Sequence, residues 1–576
     1  MVKLMNFIKK VSQIYLLTLT FLLPLKFAGI AIMPETSSYF PSEIWEYIIV
    51  NFPNNSLGIF SGIGLIAAII SYGNKLKGTL NLFLYISLAI LSILGVFNAS
   101  TGDYIYLSLG HIWGVLSYTL SIYLLVKDDK NNLSYFYNIA TISLIFTLLV
   151  GFYQYFIGFE EQIEFYKSQK VGMFEVDLSN KLMEKRIYST FGGCNVYAGY
   201  LLLILGIALC RINKFSSLFQ PQKLSQWLFI VLFSLSYLFI IFNTGSRAVV
   251  AGVGASLIII IFLSKISSKI KIFFGIILLS FCGIGIWATQ FLGRNFASFT
   301  ERIGYAKSSL MMLYNHFFLG SGWGDFLVDN QKYRFIESSE AARDPHNIFF
   351  TFGSQAGIFA LLAVMGCFLV PLICLAIKYY RKNNLHDGVI LFSLFAFLIH
   401  AMLDVDYQIP AIFSLSGAIF ITLNTDDEKV LVSNKHFKRF LLFLMALIGF
   451  LAFRISYYNT VAEKKYDEFI SAIQNNSIIF EVERKYNELE KIKPYSPFHK
   501  IKMYQFLRFY YQNKSREFLN QKVLPYLLEA VKNSPERSGY YRYLSDYYLQ
   551  VNKDVNTAKK YFDKSLELAP YTKNLK

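Results

Sequence analysis

A chain of 576 residues that is 54% hydrophobic and only 16% charged carries too much apolar surface for a set of soluble domains. The formal charge of +17 does not point to nucleic acid, because many of the cations stand in short clusters between long apolar runs. About 20 apolar residues cross the hydrocarbon layer, and runs of that length recur along the chain. Composition therefore predicts an all-α, polytopic membrane helical bundle.

The N-terminus is basic at Lys3, Lys9 and Lys10, and an apolar run containing Pro24 and Lys26 follows. No small-residue cleavage site closes that run, so it reads as a retained first helix rather than a signal peptide. Thirteen spans are expected, near 12–32, 58–73, 79–98, 105–126, 135–157, 190–210, 226–243, 247–264, 272–290, 350–377, 388–404, 410–424 and 439–456. The five cysteines (Cys194, Cys210, Cys282, Cys367, Cys374) fall in or beside spans without metal-ligand spacing, as small packing residues do.

Lys and Arg gather on alternate loops, for example Lys75 and Lys77, Lys265 to Lys271, and Lys378 to Lys382. The short loops 33–57, 99–104 and 405–409 carry none, which puts the N-terminus and the basic clusters in the cytoplasm. Two long loops on the other face break that rule. Loop 158–189 holds Arg186 among five cations, and loop 291–346 holds Arg302 and Arg343 among six. Cations where orientation does not want them imply an anionic ligand.

An odd number of spans places the segment 457–576 outside. It is charged, Tyr-rich and helical in pattern, and its end resembles a tetratricopeptide repeat. Ala558, Phe562 and Pro570 stand at the spacing of the second helix and closing proline, and Tyr541, Leu544 and Tyr548 suit the first. The competing reading is an ordinary helical bundle. In both cases the segment is a helical appendage suited to docking rather than chemistry.

Uncommon polar groups collect at the outer ends of the spans. Arg186 precedes "YSTFGGCNVYAGYL", Arg247 closes "NTGSRAVVAG", Arg302 sits in "TERIGYAKSSLMML", and His346 in "DPHN"; Asp404 and Asp406 end "HAMLDVDYQIP" on the same side. Each has a plain explanation, since Arg247 could snorkel to headgroups and Arg186 and Arg302 could be solvated. Three arginines on one face nevertheless suit a diphosphate, because the guanidinium fork donates two hydrogen bonds at once. Gly245 and Ser246 make a tight turn that would let a ligand approach the amides at the start of span eight.

Asp344 is a candidate N-cap and Pro345 fits a first helical turn, which places His346 inside that turn, where the helix dipole disfavours imidazolium. A neutral imidazole is what a general base requires. Phe350, Gly353 and Gly357 continue one helical stripe from His346, and the two glycines would admit a close neighbour. The alternative is a capping histidine without chemistry. No paired-Cys zinc site, Walker loop or serine nucleophile elbow competes.

"TFGGCNVYAGYL", "NTGSRAVVAG", "ERIGYAKSSLMMLYNHFFLGSGWGDF" and "DPHNIFFTFGSQAGIFALL", in that order over residues 180 to 425, resemble the O-antigen ligase/polymerase superfamily, which includes bacterial protein O-oligosaccharyltransferases. The ligase signature of His, Asn, nine residues and Gly is met by His346, Asn347 and Gly357, while Ala360 departs from the Gly, Thr or Tyr of lipid-core ligases and weakens lipid A–core as acceptor. The resemblance implies a membrane glycosyltransferase of the C type in a bacterial inner membrane. It would move a glycan from undecaprenyl diphosphate to an acceptor hydroxyl (lipid A–core, glycan or protein) on the periplasmic face, with inversion and with no metal or cofactor. It also implies roles: His346 as base, Arg247 and Arg302 on the diphosphate, and Arg186, Asn195, Asn347 and Ser246 in substrate binding. Repeat-unit polymerisation is the nearest alternative. A flippase would instead need cations inside spans, and an inactive scaffold presenting the C-terminal helices is the remaining one.

Overall fold

A computed structural model of the chain describes residues 2–32, 40, 43, 45–53, 55–76, 78–100, 102–168, 183–216, 223–276, 297–335, 342–423, 430–432, 434–475 and 477–570. Among these residues, seven helices are long and apolar enough to cross a membrane and five shorter apolar ones accompany them. The protein is an all-α, multi-pass membrane bundle. Every expected span has its helix except 272–290, most of which lies outside the described residues.

The bundle helices are α1 (Val2–Lys26), α2 (Leu57–Tyr72), α3 (Leu80–Leu91), α4 (Gly102–Asp128), α5 (Asn131–Tyr153), α6 (Cys194–Ser216), α7 (Lys223–Asn243), α8 (Arg247–Leu263), α9 (Ala297–Asn315), α10 (Phe326–Tyr333), α11 (Ile348–Lys382), α12 (Leu385–Ala401), α13 (Pro410–Thr422) and α14 (Lys435–Gln474). Two helices depart furthest from their expected bounds. The first helix covers 2–26 rather than 12–32. The last, read as 439–456, runs on to Gln474, because its apolar content ends before its helical pattern does: Tyr466, Phe469 and Ala472 are buried in the C-terminal core. The outer segment 291–346, read as a loop, contains α9 and α10.

The central helix is α4, whose whole apolar window is buried. It packs against α2, α13 and α14, and small residues on these four helices explain the fit. A Cβ on Gly114 would stand 3.0 Å from the Gly58 Cα, and one on Gly62 would stand 2.5 Å from the Gly449 carbonyl oxygen. In lipid, such backbone contact supplies the dispersion that apolar burial cannot. Some buried hydroxyls pair across helices, as Thr20 does with Tyr118 and Thr79 with Tyr123, both at 2.7 Å. A second group, α6, α8, α11 and α12, packs beside this core.

The helix α11 is broken. Gly357 has φ 85° and ψ −179°, and the loop before α10 crosses the break. Ile358 N–H donates to the Phe317 carbonyl at 2.9 Å, Ser321 N–H to Ser354 at 2.9 Å, and Gly322 N–H to Gln355 at 3.1 Å. Backbone groups freed inside a membrane bundle are thereby satisfied by protein. The glycine does admit a close neighbour, but that neighbour is this loop: a Cβ on Gly357 would lie 2.3 Å from the Phe318 carbonyl oxygen. Gly357→Ala should therefore cost about 3 kcal/mol from the left-handed backbone and the clash together. Thermal unfolding in detergent measures it, and an unchanged midpoint would contradict the break.

The C-terminal unit adds α15 (Ile479–Ile492), α16 (Pro497–Tyr510), α17 (Arg516–Lys522), α18 (Leu524–Asn533), α19 (Ser538–Tyr547) and α20 (Val555–Leu568) around its own core. Within it, Leu544 and Ala558 are buried as the repeat pattern expects, whereas Phe562 is 44% exposed. It is not a loose appendage. Ser496 Oγ donates to Asp103 at 2.5 Å and Ser538 Oγ to Gln331 at 2.7 Å. Arg537 stacks 4.4 Å from the Phe498 ring and reaches the Tyr104 hydroxyl at 3.5 Å.

Near that contact, Asp325 accepts hydrogen bonds from the Ser100 N–H at 2.8 Å and Ser100 Oγ at 2.5 Å. Burial pushes its carboxyl up to about 7, with Ser100 partly opposing. The folded value exceeds the ordinary 3.8, so the native state holds the proton more tightly than the unfolded chain. Stability from this group is highest below about 4 and falls by a few kcal/mol at most as pH rises through about 7. Asp325→Asn should flatten that slope, read as unfolding midpoints at pH near 5 and near 8.

Candidate active site

At the α6–α8 corner, Arg186 is fixed from two sides. Its Nε donates to the Thr244 carbonyl and its Nη2 to Asn195 Oδ1, both at 2.9 Å. Gly245 follows with φ 62°, and a Cβ there would lie 2.9 Å from Arg186 Nε. The space that the glycine opens is thus filled by Arg186, not left for a ligand. Ser246 then caps α8 by position, but its hydroxyl makes no cap hydrogen bond. Arg247, the first residue of α8, is exposed and makes no hydrogen bond or ion pair among the described residues.

The Ser246 hydroxyl instead lies 3.4 Å from His400 Nε2, and His400 Nδ1 is 2.7 Å from Asp406 Oδ2. Both partners of that pair are fully buried. Asp406 fits because residue 199 is glycine: a Cβ there would stand 2.5 Å from its carboxylate. Between His400 and Asp406, the loop receives two more site residues. Arg302 Nε donates to the Leu403 carbonyl at 2.7 Å, with Nη2 3.9 Å from Asp404, and Asn347 Nδ2 donates to the Met402 carbonyl at 2.9 Å. One pinned loop therefore connects the Arg247 turn, Arg302 and the His346–Asn347 segment.

Asp406 was noted at its span end without a role in the site, and His400 was not singled out. Their signal is present in "HAMLDVD", where a histidine and two carboxylates end an apolar span, a costly placement without partners. Both pin the loop whose carbonyls receive Arg302 and Asn347. Asp406→Ala leaves His400 buried without its partner and should cost about 3–5 kcal/mol. Weakened donor binding in Asp406→Ala, restored in part by Asp406→Glu, separates positioning from general destabilisation; equal donor affinity in all three proteins would contradict it.

His346 is not inside a helix. The N-cap of α11 is Asn347, whose Oδ1 accepts from Phe349 and Phe350 N–H, at 2.9 and 3.1 Å. Asp344 does cap locally, but the amide it accepts at 2.8 Å is that of His346, which stands at φ 56°. Pro345 thus lies in a turn before the helix, and the dipole argument for a first-turn histidine does not apply. The expected stripe from His346 to Gly357 is interrupted at both ends. A left-handed conformation in a non-glycine residue is strained and persists only where surroundings impose it. Asp344 imposes it here: buried, and with its carboxyl raised by that burial, it also accepts from Thr351 Oγ1 at 3.1 Å and from the Tyr407 hydroxyl.

The His346 ring stacks on Tyr305, one helical turn from Arg302, with centroids 5.6 Å apart. Its Nδ1 is buried with no hydrogen-bond partner among the described residues. His346 and Arg343 line a cavity of about 270 Å³ whose lining does not include Arg186, Arg247 or Arg302. The imidazole therefore stands between a recess and the arginine-bearing loops. Among the described residues, no group of three or more His, Cys, Asp or Glu is placed to hold a metal ion.

A multi-pass helical membrane protein with arginines and a strained histidine gathered at one end of the bundle is the class that this geometry defines. Residues 229–365 match the family model described as O-antigen ligase, a similarity that supports the O-antigen ligase superfamily and, with it, membrane glycan ligation or polymerisation. The matched segment contains Ser246, Arg247, Arg302, His346 and Asn347 and leaves Arg186 and Asn195 outside. No curated protein matches the chain.

Proposed function

We propose that the chain transfers a glycan from undecaprenyl diphosphate to an acceptor hydroxyl at the periplasmic face of the inner membrane. The carrying observation is His346, held by Asp344 in a strained turn, with a ring nitrogen that has no hydrogen-bond partner among the described residues. The acceptor O–H gives its proton to this imidazole. The acceptor oxygen bonds to the anomeric carbon, the bond from that carbon to the phosphate oxygen breaks, and undecaprenyl diphosphate leaves with the electron pair. Attack opposite the leaving group inverts the centre.

Arg247 and Arg302 stabilise the charge that grows on the diphosphate, a preorganised electrostatic role. Arg247 is the available guanidinium, at the amino end of α8, where the helix dipole adds to its charge. Arg186, Asn195, Ser246 and Asn347 hold the turns that present these groups. Ligation to lipid or protein and polymerisation of repeat units use the same steps and differ only in the acceptor. The test is a strain lacking the chain: lipid-linked glycan should accumulate while surface glycan of the same composition disappears. Unchanged amounts of both would overturn the proposal.

A further inference from the structure

We propose that the recess beside His346 is the acceptor subsite and that it takes the terminal sugar ring of a glycan, not a serine or threonine of a protein. This rests on the glycan-transfer function proposed above and assigns the acceptor's place within it.

The recess, about 270 Å³, is walled by six segments: the chain after α1, the first half of α4, the loop before α10, the turn before α11 that carries His346, the first half of α11 and the turn before α13. That volume lies at the lower edge of small-molecule pockets, room for a single ring at a chain end. A serine hydroxyl in mid-polypeptide would need a groove open at both ends. The walls carry the aromatic rings of Tyr104, Trp323 and Tyr407, which suit the apolar C–H faces of a pyranose.

Two amides are held in place by one end each. Gln355 Oε1 accepts from the Gly324 N–H at 2.6 Å, and Gln408 Nε2 donates to the Tyr407 hydroxyl at 3.0 Å. The Nε2 donors of Gln355 and the Oε1 acceptor of Gln408 have no protein hydrogen bond among the described residues. A fixed donor and a fixed acceptor beside aromatic rings match neighbouring sugar hydroxyls, each of which donates one hydrogen bond and accepts others. Asp344, the carboxylate of the lining, is already engaged by three protein donors and Arg343 adds a cation, so the recess suits a neutral or acidic ring and disfavours a cationic one. A hydroxyl of that ring, placed against His346, loses its proton to the imidazole as the new glycosidic bond forms.

The test uses the full chain in lipid nanodiscs with an undecaprenyl-diphosphate-linked glycan, and offers a panel of methyl hexopyranosides and a serine-containing peptide as acceptors. Ile32→Trp narrows the recess from its part-exposed rim, and Gln408→Leu removes one amide. Both should raise the KM for the preferred glycoside roughly tenfold or more while the affinity for the donor diphosphate stays within about twofold, which also shows that each variant is folded. Wild-type acceptor KM in both variants, or transfer to the peptide and to no glycoside, overturns the subsite. His346→Ala separates the two levels. If it is inactive while both recess variants keep wild-type KM, only the subsite fails; if it transfers at the wild-type rate, the proposed function fails first.

Discussion

Replacing His346 by alanine should lower glycan transfer by about 10³-fold, within the range that a positioned general base contributes. The ring stacks on Tyr305 and makes no side-chain hydrogen bond through Nδ1, so its removal leaves few contacts broken. Donor affinity and the unfolding midpoint should therefore stay near the wild-type values. Asp344→Asn provides the companion result. It keeps the shape but weakens the acceptor that holds the His346 N–H and the Tyr407 hydroxyl, so kcat should fall by less than in His346→Ala. Transfer by purified His346→Ala at the wild-type rate would remove the base from the mechanism.

The second large effect concerns Arg247 and Arg302. Each charge-assisted contact to a phosphate oxygen is worth about 1.5–3 kcal/mol, so each alanine variant should lose roughly ten- to a hundredfold in donor affinity or kcat. The two should differ in kind. Arg247 is exposed and without a described protein partner, so Arg247→Ala should act on donor binding and leave stability alone. Arg302 also ties α9 to the Leu403 carbonyl, so Arg302→Ala should lower the unfolding midpoint as well. Arg247→Lys should recover only part of the loss, because an ammonium cannot make the two-pronged contact. Unchanged donor affinity in both alanine variants would leave Arg247 as a snorkelling residue and Arg302 as a strut.

Much of the bundle was legible in the chain because partition into lipid is a local property. A run such as 105–126 declares itself by composition, and its helix follows from the need to pair every backbone group in hydrocarbon. The end of α14 was misplaced for the same reason: hydropathy stops at 456, whereas helix continues through a charged stretch whose apolar stripe packs in the C-terminal core. The break at Gly357 was invisible because 350–377 reads as one uninterrupted apolar run. Only the crossing loop at Phe318 reveals why the helix departs there.

The candidate site divides in the same way. The residue types and their order, from Arg186 through Arg247 and Arg302 to His346, stand in the sequence, since charges at span ends are conspicuous against an apolar background. Which atom each one holds was decided by tertiary structure alone. Arg186 fills the glycine turn meant for a ligand, Asn347 rather than Asp344 caps α11, and the His400–Asp406 pair pins the loop that receives Arg302 and Asn347. Those partners come from segments as far as 154 residues apart, as Ser246 and His400 show. Burial and hydropathy are summed over neighbours in the chain, whereas hydrogen-bond partners are chosen by which helices pack together, and that choice is made only in three dimensions.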